Sequence, residues 1–356
     1  MWLFCSLFLA DLVGMIHTDN LEYGFKFLET QLPLFIFPVL VLSLKNKISN
    51  KIIDNIFYSF LLGVGVLLAG YVIIVIHSLL IGTSSMADIL NHRLSEYPPI
   101  MSQPTIDIHP SFLSMYITLC LLFIMDKLIR DRNFPRIAAA LVLFILIAFQ
   151  IWLSSRAGIF GLLIVSLIFL FLNLKSKFKI YSIVTFLVLS ISIFSLPLTQ
   201  ERFLNAPMRA FRNGTMVSTT DQQTWAFAFR YQIIDCSLSL LHNGGWIFGY
   251  GTGDFRDEMY KCYHENNYTW IIVRGLDEHC EYFAQLHRFG MLGLILLLIV
   301  FIYPMSIAYK EKNYLYLSLL ILIALSAIPE NLLSSQKGVV FYALFNSILF
   351  IKKKAV

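Results

Sequence analysis

Charge is what this chain has least of. Only 14% of its 356 residues are Asp, Glu, Lys or Arg, against roughly a quarter in soluble globular proteins. So few charges cannot cover a water-exposed surface. With 58% hydrophobic residues and a mean hydropathy of +0.72, much of that surface must face lipid. The start, MWLFCSLFLADLVGM, has neither a basic n-region nor a small-residue cleavage site, so it is not read as a signal peptide. It reads as a short first span, or as the remains of a longer N-terminus, because it falls short of the usual length of about 20 residues. Among the five Cys there is no CxxC, and the eight His form no HExxH or HxH pair, so no metal site is expected. The run FGYGTGDF (248–255) lacks the strand–GxGxxG–helix setting of a dinucleotide site and the Gly-Lys-Ser/Thr of a nucleotide-binding loop, and reads as a turn. No cofactor is implied. The chain has no solenoid repeat and no low-complexity tract.

What is present is a series of apolar runs near residues 1–16, 30–44, 56–80, 111–125, 137–153, 159–173, 180–197, 288–308, 314–329 and 338–351. They predict an all-α polytopic membrane protein with about ten transmembrane helices in the lipid bilayer. The net charge of +5 is not a nucleic-acid footprint, because 15 of the 27 Lys and Arg sit in short clusters between the runs. Lys45, Lys47 and Lys51 follow the second run; Lys127, Arg130, Arg132 and Arg136 the fourth; Lys175, Lys177 and Lys179 the sixth; Lys310 and Lys312 the eighth; Lys352, Lys353 and Lys354 the last. In an alternating topology all of these lie on one side, which the positive-inside rule makes cytoplasmic, with both termini. The organisation expected is about seven spans in 1–197, a large non-cytoplasmic loop domain at 198–287, and about three spans in 288–356. A second loop on the same side, near 81–110, holds His92, Arg93, Asp107 and His109.

Within the large loop, TWAFAFRYQIIDCSLSLLHNGG reads as a helix with Phe227, Tyr231, Ile234, Leu238 and Leu241 on one stripe and Gly244-Gly245 at its stop. A second helix is expected to open at Asp277 as N-cap and to run through EHCEYFAQLHRFGMLG into the eighth span. Cys236, Cys262 and Cys280 share this loop, leaving either one disulfide with a spare thiol or three buried thiols.

Five residues carry candidate chemistry. Arg156 sits in the tight turn LSSRAG between two apolar runs, where a guanidinium needs a partner or a task; it could also snorkel or cap the end of the fifth span. Arg230 lies on or beside the apolar stripe of the loop helix, with Asp235 or Asp254 as ion-pair partners in the plainer reading. His279 is expected in a helix's first turn, where the dipole keeps the ring neutral and fit to act as a general base; the plainer reading is a surface His bonded to Asp277 or Glu278. Tyr282 would share its face and orient it. His109, before Pro110, could contact a substrate head group or simply cap its helix. No paired intramembrane carboxylates stand out, so a proton-driven carrier is not favoured.

LSSRAGIFGLL (153–163), followed by FGYGTGDF (248–255) and EHCEYFAQLHRFGMLG (278–293), resembles the ordered signature of the O-antigen ligase and O-antigen polymerase superfamily. The match runs through Ser155-Arg156-Ala157-Gly158, Arg230, Gly249/Gly251/Gly253, His279 with Tyr282, and Gly290-x-x-Gly293. HPSFLSMY (109–116) and PENLLSSQKG (329–338) also resemble segments of some members. Members usually have about a dozen spans, so this chain starts late by comparison. The resemblance implies a multi-pass glycosyltransferase of the bacterial inner membrane with a periplasmic site. Its donor would be a glycan on undecaprenyl diphosphate. Its acceptor would be a sugar hydroxyl, on lipid A–core for a ligase or on a second lipid-linked glycan for a polymerase; a protein O-oligosaccharyltransferase differs only in acceptor. Arg156 and Arg230 would grip the diphosphate without a metal, and His279 would deprotonate the acceptor for an inverting displacement. The rival from another class is a transporter of lipid-linked sugars.

Overall fold

A computed structural model describes residues 2–86, 94, 108–205, 208 and 222–352. His92, Arg93 and Asp107 lie outside the described residues. All the regular structure described is helical. In chain order the main helices are α1 (Trp2–Gly14), α2 (Leu21–Gln31), α3 (Pro33–Ser43), α4 (Asn50–Leu80), α5 (Pro110–Arg130), α6 (Arg136–Leu153), α7 (Arg156–Asn173), α8 (Ser176–Ser195), α9 (Gln222–Leu240), α10 (Phe255–Glu265), α11 (Thr269–Arg274), α12 (Glu281–Lys310), α13 (Tyr314–Ser326) and α14 (Gln336–Ile351). Seven helices among the described residues are long and apolar enough to cross a membrane: the continuous stretch Leu21–Ser43, α4, α5, α6, α7, the segment Phe178–Ser195 of α8, and α12. Three shorter apolar helices, Trp2–His17, α13 and α14, accompany them. The ten apolar runs of the sequence all fall on these elements, so the all-α polytopic class holds.

The chain forms two compact units: residues 1–49 with 209–356, and residues 50–208. In the second unit α5 is the central helix. Its residues from Phe112 to Ile124 are buried almost throughout, with Leu113, Ile117, Cys120 and Leu121 packed on Val64, Leu68, Tyr71 and Val75 of α4 and on Leu146 and Leu153 of α6. The outward faces of α4 and α6 remain apolar, with Leu62 69% and Phe144 71% exposed. That inversion of the soluble pattern marks a lipid-facing surface. At the basic end of α5, Lys127 and Arg130 pair with Asp54 (2.5 Å) and Asp126 (2.6 Å).

In the first unit α14 lies along α3, and α12 runs beside α1 and α13; Phe4 meets Phe350 edge-on at 4.9 Å between ring centres. The helices α9, α10 and α11 share a separate small core. Ile233, Cys236 and Leu240 of α9 pack on Met259, Cys262 and Tyr263 of α10 and Ile271 of α11, and a Cys236–Cys262 disulfide staples the first two. Cys280 remains a free thiol, so the one-disulfide alternative is the one realised. The buried face of α9 is not the stripe expected. Tyr231, Ile234 and Leu238 are about half exposed, because the disulfide turns the Ile233–Cys236–Leu240 face inward. After α9 a wide turn, Leu241–Gly245, and a single helical turn, Trp246–Phe248, lead into the glycine segment.

Candidate active site

The segment between α11 and α12 is where the polar side chains of the first unit converge. Gly275 ends α11 in the left-handed conformation, and the chain then runs without regular structure through Leu276–Cys280. The expected helix start, with Asp277 as N-cap, is three residues too early: α12 opens at Glu281, with Cys280 as N-cap. Asp277 does not cap it. Its carboxylate instead accepts the His279 backbone N–H at 3.2 Å. His279 therefore precedes the helix and is itself left-handed, at φ 45°.

This placement changes its electrostatics. His279 Nδ1 lies 3.5 Å from Glu330 Oε2 and 3.9 Å from Asp277 Oδ1, with its ring 29% exposed. Burial pulls the imidazole pKa down, but the Glu330 hydrogen bond and the charges of Asp277 and Glu330 outweigh it; Arg230 opposes them, and the net shift is upward. The dipole-neutralised ring expected from sequence is thus corrected: two carboxylates, not a helix N-terminus, set its charge. Tyr282 does not orient His279 either. Its hydroxyl donates to the Ala324 carbonyl at 2.9 Å, joining α12 to α13. Arg230 is exposed on α9, near enough for its charge to act on His279. Neither foreseen partner takes it: Asp235 accepts from the Tyr268 hydroxyl at 2.9 Å, and Asp254 accepts the backbone N–H groups of Asp19 (2.8 Å) and Asn20 (2.7 Å).

Behind the segment lie groups that sequence reading missed. Asn331 accepts the Cys280 N–H at 2.7 Å and donates to Glu278 at 2.9 Å. Glu278 Oε1 faces His287 Nδ1 at 3.6 Å, and His287 Nε2 meets the Ser237 carbonyl at 3.2 Å. Burial alone would raise the Glu278 pKa; the hydrogen bond and charge of His287, with the Asn331 amide, lower it overall. Next to His287, the wholly buried Arg288 reaches Glu281 at 2.9 Å and Asp11 of α1 at 3.3 Å. Glu281 also accepts the Leu333 N–H at 2.8 Å. Paired carboxylates inside apolar helices, not seen in the sequence, are therefore present, bridged by an arginine. The available signal was the spacing of Glu281, Gln285 and Arg288, four and seven residues apart on one helix face; the partner Asp11 is 277 residues away.

The glycine run has a packing role. Gly249 and Gly251 have positive φ (70° and 90°), and the run donates backbone bonds to the end of α12's first segment: Tyr250 N to His287 O at 2.7 Å and Gly251 N to Arg288 O at 3.0 Å. A side chain on Gly249 would sit 2.4 Å from the Arg288 carbonyl carbon. Opposite it, Gly290 kinks α12 at φ 62°, ψ −151°, and a Cβ there would lie 2.2 Å from the Ile247 oxygen. The other side of the turn is stitched to the N-terminal helices, with Thr252 donating to the Asp11 carbonyl at 2.7 Å.

In the second unit Arg156 is the first residue of α7, half-buried. Ser154 closes α6 in the left-handed conformation (φ 46°), and the Ser155 hydroxyl caps α7 by accepting the Gly158 N–H at 3.2 Å. Gly158 lies against Ser114 of α5: an added Cβ would be 2.3 Å from its Oγ. Since α5 and α7 both start at this end, the N-termini carrying His109 and Arg156 share one rim of the unit. His109 caps α5 through Nδ1, which accepts the Ser111 N–H at 3.4 Å.

A pre-helical imidazole between two carboxylates, within a polytopic membrane fold, fits a membrane enzyme that moves a proton at its surface. Residues 140–298, a little under half of the chain, match the sequence profile of the family described as O-antigen ligase. Through this segment the protein is similar to the O-antigen ligase/polymerase superfamily. The segment holds Arg156, Arg230, the glycine run and His279. No curated protein matches the chain.

Proposed function

We propose that the protein is an O-antigen ligase-like glycosyltransferase that moves a glycan from undecaprenyl diphosphate to a sugar hydroxyl of lipid A–core, at the periplasmic face of the bacterial inner membrane. The observation that carries the reading is His279, partly exposed, with Nδ1 turned to Glu330. Nδ1–H then bonds the carboxylate, leaving Nε2 to take the acceptor's proton. The acceptor O–H bond breaks toward His279, the acceptor oxygen forms the new bond at the anomeric carbon, and the anomeric C–O bond to phosphate breaks with its electron pair leaving on the diphosphate. Direct displacement inverts the anomeric centre. A diphosphate leaving group needs fixed positive charge, and Arg230, exposed and within electrostatic range of His279, supplies a phosphate-matching fork. Arg156 offers the same chemistry at the N-terminus of α7, with His109 as a head-group contact on that rim. Tyr282 acts through α12, whose register against α13 it fixes. The disulfide in the α9–α11 core supports an oxidising, non-cytoplasmic side for the loop domain at 198–287.

The test is to supply membranes containing the protein with a lipid-linked glycan and rough lipopolysaccharide, and to resolve the products on a gel beside Arg156→Ala, Arg230→Ala and His279→Ala. A ladder on lipid A–core that the variants lose supports a ligase. Longer lipid-linked chains with the core untouched make it a polymerase with the same site. One observation favours the transporter reading: Asp11, Glu281 and Arg288 are buried charges within apolar helices. Movement of the carrier lipid across the bilayer without either product would select it.

A further inference from the structure

We infer that Asn331 is a positioning residue for His279, working against Glu278 as its counterpart; this rests on reading His279 as the proton acceptor. His279 occupies a left-handed backbone conformation at φ 45°, which costs a non-glycine residue on the order of 1–2 kcal/mol. It lies outside α12, so no helical hydrogen bonds hold it there. The Asp277 carboxylate takes the N–H of His279 at 3.2 Å, and one side-chain amide reaches both of that residue's neighbours. Asn331 Oδ1 accepts the N–H of Cys280 at 2.7 Å, and Asn331 Nδ2 donates to Glu278 Oε2 at 2.9 Å. The residue before Asn331 is Glu330, whose carboxylate meets the imidazole. A single dipeptide thus bonds both neighbours of His279 and meets its ring.

The bracket is anchored. Glu278 and Asn331 are 3% and 6% exposed, so neither has water to fall back on. The other oxygen of Glu278 faces His287 Nδ1 at 3.6 Å, and His287 Nε2 meets the Ser237 carbonyl at 3.2 Å. Ser237 adjoins Cys236, the residue that staples α9 to α10. The chemistry requires an amide at 331: one acceptor for an N–H, one donor for a carboxylate. Aspartate would keep the first bond and set a carboxylate against Glu278. Leucine would leave both partners buried and unpaired.

The complementarity can be exchanged. In the double variant Glu278→Gln with Asn331→Asp, the glutamine amide donates to Asp and its carbonyl faces His287, so both hydrogen bonds survive: the one between the two side chains with its direction reversed, the one from the Cys280 N–H unchanged. The experiment uses the full chain in membranes, with an undecaprenyl diphosphate-linked glycan and rough lipopolysaccharide as probes. The parent, Asn331→Asp, the double variant and His279→Ala are compared for kcat, donor KM and thermal unfolding in detergent. The expected result is a fall in kcat on the order of a hundredfold for Asn331→Asp, donor KM unchanged within about threefold, and recovery of kcat in the double variant. A folded Asn331→Asp with kcat near the parent's would overturn the proposal. So would a double variant that fails to fold or folds without recovering kcat, because the exchange preserves both bonds. If Asn331→Asp does not fold, the double variant alone decides. A fully active His279→Ala would sink the underlying reading instead, whereas an inactive His279→Ala beside an unaffected Asn331→Asp would sink only the role of Asn331.

Discussion

His279 and Glu330 together set a pH dependence whose sign follows from the structure. The imidazole pKa is displaced upward, with burial opposing and the Glu330 and Asp277 carboxylates prevailing. A general base works only when deprotonated. Transfer should therefore rise with pH through a midpoint above the ordinary histidine value of about 6.5. Glu330→Gln removes one stabilising charge and should move that midpoint down, while Arg230→Gln removes an opposing charge and should move it up. Initial rates measured from pH 5 to 9 in the parent and both variants check this; midpoints that coincide would detach His279 from the rate. The residues themselves were legible in the sequence, because a charged or titratable group beside an apolar run stands out. Of the partners of His279, Asp277 was legible too, but those from the loop before α14 were not. Glu330 and Asn331 reach back across about fifty residues, and no local periodicity encodes that contact.

At the scale of elements, the glycine run and the kink of α12 form one joint. The sequence showed a turn and a Gly-x-x-Gly pair, and both are there. It did not show that they face each other, because backbone-to-backbone packing leaves no side-chain signature. Gly290 has dihedrals open only to glycine and the Ile247 oxygen within 2.2 Å of where a Cβ would be. Gly290→Ala should destabilise the protein by about 1–3 kcal/mol from the backbone alone, seen as a lower unfolding temperature in detergent. The same joint carries Arg288. Removing its charge as Arg288→Leu strands Asp11 and Glu281 in a buried site, at about 3–5 kcal/mol. A variant as stable as the parent would mean that those carboxylates are already neutral. The helix boundary at Glu281 was misplaced in the sequence reading because Asp277 is a good N-cap by type. The asparagine from the loop before α14 competed for the same backbone and won.

At the scale of the molecule, the apolar runs made the all-α membrane class plain from composition, since lipid-facing helices differ from soluble ones in sum and not in detail. The grouping of residues 1–49 with 209–356 was hidden, because helix–helix packing in lipid rests on small and polar contacts that hydropathy does not rank. The side on which the loop domain lies has a direct chemical readout. With Cys236 and Cys262 bridged, a denatured sample blocked without reductant should take up three maleimide groups, on Cys5, Cys120 and Cys280, and five after reduction. Five without reduction would put the loop in a reducing compartment and reverse the orientation.

The central claim is that a glycan changes carriers on this protein with His279 taking the proton. The most direct measurement reconstitutes the purified chain in nanodiscs with a lipid-linked glycan and rough lipopolysaccharide, and counts undecaprenyl diphosphate released against glycan attached to the core. One released per glycan attached in the parent, with neither in a folded His279→Ala variant, is the predicted result. Transfer at the parent's rate in His279→Ala, or glycan loss from the donor with none reaching an acceptor, would contradict it.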